Sequence, residues 1–253
     1  MNESTSPPVM VVTGGSRGIG ASVCLLAAQQ GYRVVLGYRE SRKEAEEVAA
    51  RASADGGTVL PVRADVSVEA DVVRLFETAS EEAGPVTALV NNAGILEGQM
   101  DLVDMTPDRI DRVFAVNVRG SFLCAREAIR RMARSRGGNG GAIVNVSSAA
   151  SRIGAPHEYI DYAASKGAID TMTLGLSKEV AAEGIRVNAV RPGIIDTGIH
   201  ASGGEPGRVK RVAPMVPMQR AGSPEEVAHT ILWLLSDEAS YLTGTLVDVS
   251  GGR

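Results

Sequence analysis

Short apolar runs alternate with longer amphipathic segments along nearly all of this chain. That pattern builds βαβ units around a parallel sheet. Val9 to Val12 reads as a buried strand, followed by a glycine-rich turn and a helix from about Gly18 to Gln30 that stops at Gly31. Further strands are expected at Arg33 to Tyr38, Thr58 to Arg63, Ala88 to Asn91, Ala142 to Ser147, Arg186 to Val190 and Thr245 to Val249. Helices are expected at Arg42 to Ala54 and at Val68 to Ala83, the latter entered through Asp65. A long helical pattern runs from Pro107 to Arg136, with Asn117 and Gly120 as points of interruption. Another helix carries Tyr162 and Lys166 and runs to about Glu183. The last, Pro224 to Leu235, has Ser223 as N-cap, Pro at N1 and glutamates at N2 and N3. The order predicts one Rossmann-type domain over residues 9–253: a doubly wound, seven-stranded parallel sheet with helices on both faces. Its crevice lies at the carboxyl ends of the strands.

Composition narrows the chemistry. With 253 residues and 44% hydrophobic content, the chain can bury a sizeable core as one domain. A net charge of −4 and no long basic tract speak against nucleic acid and against an anionic membrane as partners. Cys24 and Cys124 lie far apart in helix-like sequence, which suits a reducing cytoplasm rather than a disulfide framework. His157, His200 and His229 show no metal-ligand spacing, so no metal is expected. The polar leader 1–8 lacks the basic and apolar regions of a signal peptide and is expected to be flexible. No apolar run approaches the ~18 residues that would span a membrane. Arg126, Arg130, Arg131, Arg134 and Arg136 read as a solvated helix face, and Gly137 to Gly141 as a flexible connection.

The turn Thr13-Gly14-Gly15-Ser16-Arg17-Gly18-Ile19-Gly20 directly follows the first strand and opens the first helix. Glycines there permit a tight turn, let backbone N–H groups approach a pyrophosphate, and allow close helix packing. The context points to a dinucleotide. The tip of the second strand chooses between its forms: an acidic residue holds the ribose hydroxyls of NAD, and arginine accommodates the 2′-phosphate of NADP. Here the tip reads Gly37-Tyr38-Arg39, with Arg17 able to reach the same phosphate. The reading favours NADP(H); Glu40 leaves NAD(H) possible, and Arg39 has an alternative as an ordinary loop residue.

Tyr162 and Lys166 stand four residues apart and so share a helix face, with Ser147-Ser148 upstream at the end of an apolar run. An ammonium near a phenol favours the phenolate, bringing an acid or base of ordinary pKa ~10 toward neutral pH. The plain alternative is a Tyr and a Lys on an exposed helix.

Taken together, these motifs resemble the short-chain dehydrogenase/reductase family, of the type about 250 residues long, from Val9 to Arg253. Thr13 to Gly20 is similar to its Thr-Gly-x-x-x-Gly-x-Gly turn, and Asp65-Val66 to the pair that contacts the adenine. Asn91-Asn92-Ala93-Gly94 resembles the motif bordering the adenosine side of the cofactor, with Asn91, Ala93 and Gly94 as contacts. Pro192, Gly193, Ile195 and Thr197 resemble the segment that cradles the nicotinamide. The resemblance implies a catalytic set of Asn117, Ser148, Tyr162 and Lys166. In it Tyr162 exchanges a proton with the reacting oxygen, and Lys166 lowers the Tyr162 pKa and holds the nicotinamide ribose, so both also border the cofactor. Ser148 holds the substrate oxygen, and Asn117 positions a relay water. Asn117 also reads as a buried amide mending a helix irregularity. A homotetramer joined partly through the helices Pro107–Arg136 and Tyr162–Glu183 is implied as well.

One departure stands out. Ser148 and Tyr162 are 14 positions apart, one more than the commonest family spacing, so a residue must loop out between Ser151 and Asp161. Ser147 is the minor alternative to Ser148. His157 and Tyr159 in that loop either border the substrate or pack the loop. Ser202 to Gly207, flanked by Thr197 and Pro214, reads as a mobile substrate lid. The leading expectation is hydride exchange with a carbonyl or secondary alcohol of a small or medium substrate. Sugar or polyol oxidation is the alternative, because Tyr159 to Lys166 and Ala201 to Arg208 look like a bacterial glucose-1-dehydrogenase-like subgroup. A non-catalytic nucleotide sensor is the third reading; the intact set of four residues weighs against it.

Overall fold

The computed structural model describes residues 7–253, so the expectation for the leader lies almost wholly outside the described residues. The structure has seven strands among the described residues. They are β1 (Val9–Thr13), β2 (Arg33–Tyr38), β3 (Thr58–Arg63), β4 (Val86–Asn91), β5 (Gly141–Val146), β6 (Ile185–Pro192) and β7 (Leu246–Val249). They form one sheet in the order β3-β2-β1-β4-β5-β6-β7, every pair parallel. This is the predicted doubly wound, Rossmann-type single domain.

Strand side chains alternate between two cores because their period is two residues. Met10 and Val12 of β1 face the core capped by α1 (Gly18–Gln29), α2 (Arg42–Ala54) and α10 (Pro224–Leu235). Val9 and Val11 face the opposite core, beneath α3 (Glu69–Thr78) and α5 (Gly120–Met132). Burial on both faces explains why these strands read as continuous apolar runs rather than alternating ones. Chain order reverses between β1 and β4, and the crevice opens at their carboxyl ends, where such sheets bind ligands.

The long pattern from Pro107 divides as the sequence suggested. α4 (Pro107–Phe114) passes into a π-helical turn, Ala115–Arg119, and then into α5. Asn117 sits in that turn, and the Ser121 hydroxyl donates to its carbonyl at 2.9 Å. The helix α7 (Ile160–Glu179) stops four residues earlier than expected, and the 3₁₀ turn Ala181–Glu183 completes the run. Ser223 caps α10 in a reciprocal capping box with Glu226.

Two expectations are corrected. In the glycine run 137–141, Gly138, Gly140 and Gly141 are tightly packed rather than loose: a Cβ on Gly138 would lie 2.4 Å from the Met132 carbonyl oxygen, and one on Gly141 2.3 Å from that of Thr87. Glycine is there for close approach. The arginine stretch is not simply solvated either, because Arg126, Arg130 and Arg131 converge on the buried carboxylate of Glu127, at 3.2, 2.8 and 2.8 Å.

Candidate active site

The crevice begins with the β1–α1 turn. Gly14 takes φ +65°, and a Cβ there would lie 2.9 Å from the Cα of Ala93, so only glycine fits. A Cβ on Gly20 would meet the Gly14 carbonyl oxygen at 2.4 Å; this glycine lets the helix close onto its own turn. Asn92 ties the turn to the end of β4, its Nδ2 donating to the carbonyls of Thr13 (3.0 Å) and Gly14 (2.9 Å). The Thr13 hydroxyl accepts from the backbone N–H groups of Asn92 and Ala93 at 3.0 and 3.1 Å. Such a cradle leaves space for a pyrophosphate beside the α1 N-terminus.

Most expected cofactor contacts line one continuous pocket. Gly14, Ser16, Arg17, Gly18 and Ile19 contribute its floor, Tyr38 and Arg39 one end, and Asp65, Val66, Ala93 and Gly94 the flank. Pro192, Gly193, Ile195 and Thr197 close the far side. Arg39 pairs with Glu40 at 3.0 Å on the surface of that end. The Asp65 carboxylate accepts from the backbone and hydroxyl of Ser67, at 2.9 and 2.7 Å, which fixes the loop after β3. Gly20 lies behind the turn rather than on the pocket. Asn91 is the clear correction: it is buried, and its Nδ2 donates to Asn145 Oδ1 (2.9 Å) and the Ser121 carbonyl (3.2 Å). It braces β4 against β5 and does not face the pocket.

Ser148, Tyr162 and Lys166 meet at the middle of the same pocket. The Ser148 hydroxyl lies beside the Tyr162 phenol, where it favours the phenolate. The Lys166 ammonium stands 5.6 Å from the centroid of the Tyr162 ring and donates to the Val146 carbonyl at 2.7 Å. Ser147 is instead tied to the Lys166 carbonyl at 3.2 Å, which leaves Ser148 as the hydroxyl beside the phenol. Asn117 is fully buried, bracketing Ile95 with Oδ1 accepting from its N–H (2.8 Å) and Nδ2 donating to its carbonyl (3.1 Å). It stands beside the pocket rather than on it; a Cβ on Gly94 would lie 3.4 Å from Asn117 Oδ1 and 3.6 Å from Lys166 Nζ.

The expected depression of the Tyr162 pKa is corrected. Burial pushes the phenol up, and the Ser148 hydroxyl opposes it only partly. The same burial brings the Lys166 ammonium down to about 8, against the pull of Asp170. Asp170, one helical turn beyond Lys166, pairs with Arg191 at 2.9 Å. Burial thus moves the two groups in opposite directions, the phenol up and the ammonium down.

The extra residue after Ser148 is absorbed by a single helical turn, α6 (Ala150–Ile153), and by positive φ at Gly154, Ala155 and His157. Tyr159 is buried and lines the pocket, whereas His157 points away, 84% exposed, toward Asp101 at 2.8 Å. The segment expected as a mobile lid carries several ion pairs. It runs between α8 (Ile199–Ser202) and α9 (Arg208–Val212), where Glu205 pairs with Arg208 at 3.2 Å and with Arg211 at 2.6 Å. Sequence reasoning missed the pair Arg109–Asp161 beneath Tyr162 and the pair Glu158–Arg208 on the pocket wall. Only the adjacency of Asp161 to Tyr162 gave any signal.

A parallel doubly wound sheet, a glycine cradle at its switch point and a Ser–Tyr–Lys group on the same pocket define a dinucleotide-binding enzyme scaffold. Residues 14–253 match a family model described as enoyl-(acyl carrier protein) reductase. The chain is 57% identical over 245 residues to the "Uncharacterized oxidoreductase YgfF" of Escherichia coli, covering 97% of this chain and 99% of that one. It is 37% identical over 257 residues to the rice "Glucose and ribitol dehydrogenase homolog", covering 96% and 85%. Among solved structures, a 3-ketoacyl-(acyl-carrier-protein) reductase from Brucella melitensis complexed with NADH superposes with TM-score 0.90 at 33% identity, over 99% of both chains. The chain belongs to the short-chain dehydrogenase/reductase family and is an oxidoreductase.

Proposed function

We propose that this enzyme uses NADP(H) to interconvert a carbonyl compound and its alcohol, acting on a small or medium substrate. The observation that carries the reading is the meeting of Ser148, Tyr162 and Lys166 in the pocket that the glycine cradle opens. The nicotinamide supplies or accepts the hydride when bound. Ser148 and Tyr162 hold the substrate oxygen by hydrogen bonds that strengthen as it gains charge. Tyr162, kept protonated by its burial, gives its proton to that oxygen during reduction and takes it back during oxidation. Lys166, titrating near 8, restores the phenol through the buried polar group that includes Asn117. Arg17 in the β1–α1 turn and Arg39 just after β2 line the same pocket and support NADP(H); Glu40 beside Arg39 is the residue through which NAD(H) stays possible.

The rice relative's name gives a second reading, oxidation of a sugar or polyol. A panel of aldehydes, ketones, quinones and sugars assayed with both cofactors separates the two. Tyr162→Phe tests the shared chemistry: kcat should fall by about 10²–10⁴-fold, the usual worth of a general acid–base group, while NADPH still binds. Persistent turnover would overturn the assignment of Tyr162. No helix among the described residues is long and apolar enough to cross a membrane. A homotetramer in the cytoplasm remains part of the proposal.

A further inference from the structure

Beyond the reacting group, the pocket has a mostly apolar wall from Leu96, Ile153, Ala155, Tyr159 and Ile199. Two charged side chains interrupt it, Glu158 and Arg208. Arg208 is only 7% exposed, and its guanidinium lies over the Tyr159 ring at 5.2 Å from the centroid. An arginine so placed is ordinarily an anchor for a carboxylate, which its planar fork grips with two parallel hydrogen bonds. Here the fork is already occupied. Nη1 and Nη2 donate to the two Glu158 carboxylate oxygens at 2.8 and 2.6 Å, and Nη1 also donates to Glu205 at 3.2 Å. Glu205 is itself held by Arg211, at 2.6 and 2.9 Å, and by Gln99 at 2.7 Å. Two carboxylates balance two guanidiniums, so the wall is neutral as a unit.

We infer that Glu158 is a specificity-determining residue: by masking Arg208 it fits the pocket to uncharged carbonyl compounds and rejects those bearing a carboxylate. The inference rests on the proposed carbonyl chemistry and narrows its substrate class. An anionic substrate entering this wall would find its natural partner taken and the Glu158 carboxylate facing it. Burying a charge without a partner is strongly unfavourable. A neutral apolar substrate instead covers Leu96, Ile153 and the Tyr159 ring without breaking any pair. The residues also join two separate parts of the chain. Glu158 ends the loop lengthened after Ser148, and Arg208 begins α9. The lengthened loop and the start of α9 are therefore coupled through this one ion pair.

The test compares benzaldehyde with 4-carboxybenzaldehyde, alike in shape but differing by one charge, using NADPH and the full-length enzyme. Wild type should favour benzaldehyde in kcat/KM by about 100-fold or more. Glu158→Gln, nearly isosteric, should raise kcat/KM for 4-carboxybenzaldehyde about tenfold, and adding Arg208→Gln should abolish that gain. Binding of benzoate and benzamide to the enzyme–NADP⁺ complex, followed by ligand-observed NMR, reads the same wall without turnover. There, Glu158→Gln should tighten benzoate about tenfold relative to benzamide. Equal use of both aldehydes by wild type overturns the inference. So does a benzoate affinity that Glu158→Gln leaves unchanged, or a gain that survives loss of Arg208. If no carbonyl compound is reduced at all, the proposed function falls, while the binding measurement still decides the masking.

Discussion

Lys166 is a buried cation, and its titration carries a signed consequence for stability. Its pKa in the folded chain is about 8 against an ordinary 10.5, so the unfolded chain binds more protons between those values. Stability contributed by this site must therefore rise as pH increases through that window, and the penalty is complete below pH 8. A difference of roughly two units corresponds to about 3 kcal/mol. Tyr162, raised by burial, has the opposite sign: it costs stability only above its ordinary value of 10.0. Urea denaturation of wild type and Lys166→Met between pH 7 and 9.5 isolates the lysine, because the other groups cancel in the difference. Lys166→Met should be the more stable at pH 7, with the gap closing toward pH 9.5; a constant gap would contradict the assigned titration. At the other end of the pocket, Arg39 offers a charge to the adenosine side and is held only by an exposed pair with Glu40. Charged hydrogen bonds of this kind contribute about 1.5–3 kcal/mol, so Arg39→Asp should weaken NADPH binding by about tenfold or more. NADH should bind unchanged or tighter. Fluorescence titration with both cofactors decides it, and NADH binding tighter than NADPH in the wild type would reverse the preference.

At the scale of elements, the N-terminus of α7 decides where Tyr162 points. Asp161 accepts from the Tyr162 backbone N–H at 2.9 Å and from Arg109 Nε at 2.7 Å, with side chains 2% and 5% exposed. Arg109 belongs to α4, and its Nη1 also donates to the Gly98 carbonyl, so one guanidinium joins α4, α7 and the loop after β4. Removing one member of a buried pair strands the other, at about 3–5 kcal/mol. Asp161→Ala should cost that much in urea denaturation and lower kcat with a smaller change in the NADPH KM. The double replacement Arg109→Met with Asp161→Leu removes both charges and should recover much of the stability without recovering kcat. Full recovery of rate would show the pair to be purely structural. Beyond the adjacency of Asp161 to Tyr162, the sequence did not mark this pair, because Arg109 and Asp161 are 52 residues apart and each alone looks like a surface charge. By contrast, the interruption at Asn117 was legible: a polar amide in an apolar periodicity needs partners, and the π-helical turn aims it at the Ile95 backbone and Ser165. The glycines at 138 and 141 misled because composition cannot distinguish a glycine that frees the backbone from one that lets another backbone approach.

At the scale of the molecule, the sheet order and the crevice were legible because parallel strands buried on both faces write uninterrupted apolar runs, and the turn glycines mark the switch point. Local pattern could not show which side chains meet across the pocket, which is why Asn91 was placed wrongly and Glu158–Arg208 went unseen. Assembly is the remaining question at this scale. The outer face of α5 shows Phe122, 52% exposed, with Phe114 of α4 and Leu174 of α7 also exposed. Beside them Arg126 and Arg130 extend from the buried Glu127. Large apolar side chains rimmed by charge on helix faces mark an association surface. Trp233 of α10 and Tyr241 beyond it form a second exposed apolar region on a different part of the chain. In the proposed homotetramer, two such surfaces, each pairing with its own copy, would give dihedral symmetry, whereas one would stop at a dimer. The expected mass in solution is four times 26.4 kDa, about 106 kDa by light scattering. Phe122→Asp, which places a charge on the first surface, should reduce the particle to dimers held through the second. A monomeric wild type would overturn the assembly, and a tetramer undisturbed by Phe122→Asp would move the interface away from α5.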